Sequence, residues 1–148
     1  MTRINSAIPV RALTDEHLLA EHREIKRLPY YLNKAIESGS VNRIPRKFTL
    51  GKGHVLFFLD KQQFVNRRYH EIFNELTNRG FEPRDFSENW GIGIVYSGYY
   101  NRYTPTEEER HLLAERITER IGKSTKKVWH YYRKPITKEE AIALLTTQ

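Results

Sequence analysis

The chain has 148 residues and no cysteine, and its 25 lysines and arginines against 18 acids give a formal charge of +7. That length suits one domain with a real core, and the missing cysteines exclude disulfides, thiolate zinc sites and cysteine nucleophiles. The charge excess favours a polyanionic partner, nucleic acid before an anionic membrane.

The chain starts "MTRIN". The small Thr2 after Met1 is the arrangement from which the initiator is commonly trimmed, which leaves an α-amine beside the cation Arg3. Over 14–28, "TDEHLLAEHREIKRL", Leu18, Ile25, Leu28 and Leu32 fall at helical spacing, and Thr14 or Asp15 supplies the cap. Pro29 should kink or pause this first helix before it continues to a stop at Gly39. Its exposed side carries Arg23 and Arg27 four apart with Glu24 between them, and His17, Glu21 and Glu24 share a neighbouring stripe. Such a face is either a solvated ladder of ion pairs or a carboxylate held among phosphate-binding arginines.

Residues 40–60 read as loop and turn around Pro45, Gly51 and Gly53, and the longest apolar run, "VLFFL" at 55–59, is far too short to cross a membrane. No signal-peptide pattern opens the chain, so the expectation is a soluble, cytoplasmic protein. His54, flanked by glycines, reads as a structural histidine with no metal-ligand partners at suitable spacing. A second helix runs through "KQQFVNRRYHEIFNELTNRG", with Phe64, Tyr69, Ile72, Phe73 and Leu76 as its buried stripe and Gly80 as its end.

Residues 82–103 are aromatic and irregular, and read as an ordered, loop-like connection. In "TPTE" Thr104 is expected to cap a third helix, with Pro105 in the first helical position and Glu107 closing the capping box. Leu113, Ile117 and Ile121 bury one side of it, Arg116 and Arg120 can meet two phosphates, and Gly122 stops it. The tail "GKSTKKVWHYYRK" mixes five cations with Trp129, His130, Tyr131 and Tyr132. Those rings either stack on unpaired bases or belong to the core. A second capping box, "TKEE" at 137–140, precedes a short C-terminal helix. The expected architecture is a compact, all-α single domain over 1–148, with about three main helices and long loops.

Ordered fragments of this chain resemble the phage pyrimidine-dimer DNA glycosylases, also called endonuclease V. They are "MTRIN", "HLLAEHRE" at 17–24, "FTLGKGHVLFF" at 48–58, "DK" at 60–61, "RGF" at 79–81, "AERITERI" at 114–121 and "WHYYRK" at 129–134. Together they make residues 1–134 family-like and leave 135–148 as an extension. The chain departs from the family pattern at His22 and Lys26, in the 82–103 loop, and at Arg133. The resemblance implies an N-terminal segment threaded between the first and third helices. It also implies that Thr2, once exposed, is the nucleophile and Glu24 its acid partner. Arg3, His17, Arg23, Arg27, Arg116, Arg120 and Lys134 would bind DNA, with Trp129, Tyr131 and Tyr132 reading the distorted site. It further implies double-stranded DNA with pyrimidine dimers or abasic sites as substrate, with no metal or cofactor, no membrane and a monomer. Two alternatives stay open, a non-catalytic nucleic-acid-binding domain and an abasic-site lyase without dimer specificity.

Overall fold

The structure is a computed structural model that describes residues 4–91 and 97–146. It is mostly helical. Helix α1 spans Asp15–Ile25 and α2 spans Leu28–Ser38. The predicted first helix therefore divides at Lys26 and Arg27, with Pro29 in the opening turn of α2, where its missing N–H costs nothing. Thr14 supplies the cap of α1 by accepting from the His17 N–H at 3.2 Å, and Gly39, at φ +82°, ends α2.

Two further elements correct the reading of 40–60 as loop alone. A 3-10 turn covers Ser40–Arg43, and a five-residue helix α3 covers His54–Phe58. Its apolar run was too short to show a helical period, and tertiary packing of Phe57 and Phe58 decides it. Helix α4, Gln62–Asn78, closes with Gly80 at φ +92° and with Phe81 N–H donating to the Leu76 carbonyl at 3.0 Å.

Helix α5 runs Glu107–Lys123 and α6 runs Lys138–Leu144. The cap of α5 is Thr106, which accepts from the Glu109 N–H at 3.2 Å, so the expected Thr104 cap is two residues too early. "TPTEEE" offers two overlapping threonine–acid frames, and the Tyr103 hydroxyl bonded to Glu109 selects the later one. The Thr137–Glu140 capping box forms as expected. Lys138 Nζ donates to the carbonyls of Gly122 and Ser124 at 3.2 and 2.6 Å, tying α6 to the end of α5.

The all-α expectation fits in the main, with one addition, a small antiparallel hairpin, β1 at Trp129–Tyr131 and β2 at Lys134–Ile136. Its two-residue turn is Tyr132–Arg133, both at positive φ, 51° and 67°. Non-glycine residues in that region cost about 1–2 kcal/mol each. Asp15 offsets this cost. Its carboxylate accepts from the Tyr132 N–H at 3.2 Å and from the Arg133 N–H at 2.7 Å. No turn signal in the sequence could show this, because the stabilising partner lies over a hundred residues away.

The core joins Leu18 and Ile25 of α1, Leu28 and Leu32 of α2, Tyr69, Ile72 and Leu76 of α4, and Leu113, Ile117 and Ile121 of α5. Into it runs an irregular N-terminal segment whose Ile4, Ile8 and Leu13 are all buried. Apart from a 3-10 turn at Val10–Ala12 this segment has no regular structure, so its buried carbonyls need donors, and α4 with its C-cap provides them. Arg68 Nη1 donates to Ile8 O at 2.7 Å. Arg79 donates to Leu13 O at 2.8 Å and to Val10 O at 3.1 Å. Each guanidinium is also neutralised in place. Arg68 bonds both oxygens of Glu21, at 2.9 and 3.1 Å, and Arg79 bonds Asp15 and Glu75, both at 2.9 Å. Among the described residues no helix is long and apolar enough to cross a membrane.

Removing either arginine strands buried acids and carbonyls together. Arg79→Met is expected to destabilise the fold by about 3–5 kcal/mol in urea denaturation. Exposed Arg23→Ala should stay within about 0.5 kcal/mol of wild type.

Candidate functional site

The first described residue, Ile4, donates its N–H to His54 Nε2 at 3.0 Å. One residue later, Asn5 Nδ2 donates to Glu21 Oε1 at 3.1 Å. The N-terminal segment is thereby fastened to α3 on one side and to α1 on the other. Thr2 and Arg3, predicted as nucleophile and phosphate contact, lie outside the described residues.

Glu24 stands three residues beyond Glu21 on α1, partly buried. Its Oε2 accepts from Arg27 Nη1 at 2.8 Å, while the Arg27 side chain remains half exposed. Arg23 is exposed beside them. A carboxylate fixed in this way among cations can stabilise a developing positive charge or carry a proton.

His17 lies two turns before Glu24 on the same helix. Its ring stacks on Trp129, with centroids 5.2 Å apart and planes inclined by 3°. Its Nδ1 pairs with Thr14 Oγ1 at 2.7 Å. Burial lowers the His17 pKa, and the positive charge of Arg120 lowers it further, against the opposing pull of Glu16 and Glu21. The structure therefore stacks His17 on Trp129 and leaves the ring within electrostatic reach of Arg120. Arg120 is exposed. Arg116 is partly buried, and its Nε has no hydrogen-bond partner among the described residues.

The other tail aromatics are placed elsewhere. Tyr131 and Tyr132 bracket Arg79, at 4.7 and 4.9 Å from its guanidinium carbon to their ring centres. The Tyr131 hydroxyl donates to Arg11 O at 2.7 Å and that of Tyr132 to Glu75 Oε2 at 2.9 Å. Their anchor, Asp15, is nine residues from Glu24, about 14 Å along α1. With Trp129 only 8% exposed and given over to His17, Tyr132 at 41% is the tail aromatic with the most face open to a ligand. Lys134 is exposed on β2. His22 and Lys26, two of the departures from the family pattern, are occupied by the connection after α4. His22 Nε2 pairs with Arg84 O at 3.0 Å, and Lys26 Nζ lies 3.9 Å over the Phe86 ring.

Two groups that build this site have no mark in the sequence. Arg68 and Arg79 look like ordinary surface charges there, since burial leaves no signature in residue type. The loop before α3 exposes Arg43, Arg46, Lys47 and Lys52, and no acid occurs between Glu37 and Asp60. That run of unopposed cations was legible and extends the basic surface next to His54.

The hairpin itself is clamped to α1 by Glu16, which accepts from the His130 N–H at 3.0 Å and pairs with His130 Nδ1 at 2.7 Å. Burial pushes the Glu16 carboxyl up, but the His130 bonds and the Lys126 charge outweigh it and hold the pKa below its usual range. A depressed carboxyl contributes stability above its unfolded pKa, about 4.3, and loses it as pH falls through the folded value. The His130 amide resonance, which reports the bond to Glu16 directly, should therefore move as pH falls below about 4.3. In Glu16→Gln it should already be displaced at pH 7.

A family model described as pyrimidine dimer DNA glycosylase matches residues 1–89. The match takes in the N-terminal segment with α1 to α4, and so Glu24, Arg23, Arg27 and His54. Helix α5 and the hairpin lie beyond it.

Proposed function

The chain belongs to the pyrimidine dimer DNA glycosylase family, and on that premise we propose that it both excises UV-induced cyclobutane pyrimidine dimers and nicks the abasic site it creates. The observation that carries this reading is the fastening of the N-terminal segment beside Glu24. Asn5 is bonded to Glu21, and Glu24 is three residues further along α1, about 4.5 Å on the helix axis. Thr2 is three residues from Asn5, at most about 10 Å of chain, so its amine is within reach of that carboxylate. In this reading the segment passes between α1 and α5, with Arg116 and Arg120 on the far side.

A free α-amine has a pKa near 8, against about 10.4 for an unperturbed lysine, so a useful fraction is neutral at physiological pH. Arg3, Arg23 and Arg27 favour the neutral form, and Glu24 opposes them. The neutral amine of Thr2 attacks C1′ of the damaged nucleotide. The glycosidic C1′–N bond breaks and its electron pair leaves with the base, which takes up a proton. The attacking nitrogen loses a proton, the C1′–O4′ bond breaks with its electron pair on O4′, which takes up a proton, and a protonated imine is left between Thr2 and C1′. That cation acidifies C2′. Glu24 removes the C2′ proton, the C3′–O bond breaks, and the 3′ phosphate departs by β-elimination. Water then hydrolyses the imine and frees the amine. Glu24 also faces the positive charge that builds on the sugar in the first step, which gives a reason for an acid on a phosphate-binding surface.

The cations Arg3, Arg23, Arg27, Arg116, Arg120 and Lys134 neutralise phosphates and hold a bent duplex, since C1′ is unreachable inside a regular stack. His17 supports Trp129, and Tyr132 offers the tail's most exposed aromatic face to the distorted site. The burial of Trp129 and the engaged hydroxyls of both tyrosines favour one second reading, an abasic-site lyase without dimer recognition.

Borohydride trapping separates the readings. Mature, untagged protein should give an adduct on the Thr2 peptide with duplexes carrying either one dimer or one abasic site. Glu24→Gln should slow both reactions by about 10²–10⁴-fold while duplex binding persists. An adduct with the abasic site alone supports the second reading, and no adduct despite a free Thr2 rejects an imine mechanism altogether. Arg23→Ala should weaken binding to any duplex and reduce the salt slope by about 0.9.

A further inference from the structure

His54 is buried, 3% exposed, and its two ring nitrogens face opposite partners. Nδ1 lies 2.8 Å from the Thr49 carbonyl oxygen, which can only accept, so Nδ1 carries the hydrogen. Nε2 lies 3.0 Å from the Ile4 nitrogen, whose N–H can only donate, so Nε2 presents its lone pair. The two bonds together require a neutral imidazole in one tautomer. The rings of Phe48 and Phe58 close around it edge-on, at 5.5 and 5.4 Å.

The local chain is built to hold that ring. Gly53, immediately before it, has φ +95°, and a Cβ there would meet Pro45 Cγ at 3.4 Å. The His54 N–H donates to Gly51 O at 3.0 Å, closing the turn that opens α3. Thr49, in the same turn, orients the imidazole. Gly51, Gly53 and His54 belong to the glycine-containing "GKGH" stretch.

We propose that His54 is the positioning residue of the N-terminal nucleophile: by gripping the Ile4 N–H through Nε2 it fixes where the Thr2 amine stands relative to Glu24. The inference rests on the imine reading above. From Ile4 back to Thr2 is only two residues, about 7 Å of extended chain, and the His54 bond anchors the base of that lever. Displacements of about 1 Å at a reacting centre cost about 10²-fold in rate, so losing the anchor should appear in the chemical step. His54 touches neither substrate nor the reacting atoms and acts only through the backbone.

The test compares His54→Asn with His54→Gln. The shorter amide can keep the Thr49 bond but falls short of Ile4, whereas the glutamine oxygen reaches about the Nε2 position and can accept from Ile4. Single-turnover borohydride trapping on an abasic duplex, duplex Kd, and hydrogen exchange of the Ile4 amide are measured on wild type and both variants. The expected result is a trapping rate about 10–100-fold lower in His54→Asn, with Kd within about twofold and Ile4 exchange accelerated. His54→Gln should recover most of the rate and of the Ile4 protection.

Wild-type trapping in His54→Asn alongside a deprotected Ile4 amide overturns the proposal. So does equal slowing in both variants that follows their loss of thermal stability, because that is a packing effect. For a variant that fails to fold, a wild-type spectrum decides: a scalar coupling across Ile4 N–H to His54 Nε2 supports the grip, and its absence overturns it. Wild-type protein with a free amine and no Thr2 adduct removes the imine reading, and this inference with it. That outcome is distinct from one in which wild type traps and the variants match it.

Discussion

Two guanidinium groups, one on α4 and one on the residue that caps its C-terminus, are the constraint on which the rest of this structure depends. A core entered by an irregular chain has to satisfy that chain's peptide groups without water, and residues 4–13 make no helix or strand long enough to do so alone. Arg68 and Arg79 solve this by donating to the carbonyls of Ile8, Val10 and Leu13. Their own charge is then buried, which is tolerable only because Glu21, Asp15 and Glu75 are buried with them. The arrangement stabilises little relative to a greasy core. What it specifies is the path of the N-terminal segment, the feature that the proposed chemistry needs most.

The same acids connect distant parts of the chain. Asp15 caps nothing on its own helix. It accepts from Arg79 and from both amides of the hairpin turn, so one carboxylate joins α1, α4 and the tail. Glu21 likewise takes Arg68 on one side and Asn5 on the other. Since each partner of such a carboxylate is positioned by the others, the N-terminal segment, α1 and the hairpin form one coupled unit. Neutralising one acid should therefore disturb elements far apart in sequence.

The basic composition divides into two populations with different physics. Arg68 and Arg79 are buried, paired and structural. Arg23, Arg27 and Arg120, with the loop cations Arg43, Arg46, Lys47 and Lys52, are exposed. Net charge counts both alike, although only the second population can contribute to binding a polyanion. The aromatics divide similarly. Trp129 is stacked on His17 and Tyr131 rides on Arg79, so much of what reads as a base-stacking tail stabilises the docking of the hairpin.

By itself the sequence determined what depends on near neighbours and on order along the chain. The burial of Tyr69, Ile72 and Leu76 on α4, its glycine ending, the Thr14 cap and the Thr137–Glu140 box are set by residues close together in sequence, and ordered fragments suffice to identify the family. Phe64 and Phe73 of the expected stripe are only partly buried, and Val65 takes the core place instead. The tertiary structure alone decided the rest. It held Tyr132 and Arg133 in a strained turn against Asp15, and it converted His54 from a lone histidine in a loop into the acceptor for Ile4. In each case the deciding partner is brought close by packing. A hydrogen-bond donor or acceptor far away in sequence leaves no period or spacing from which it could be read.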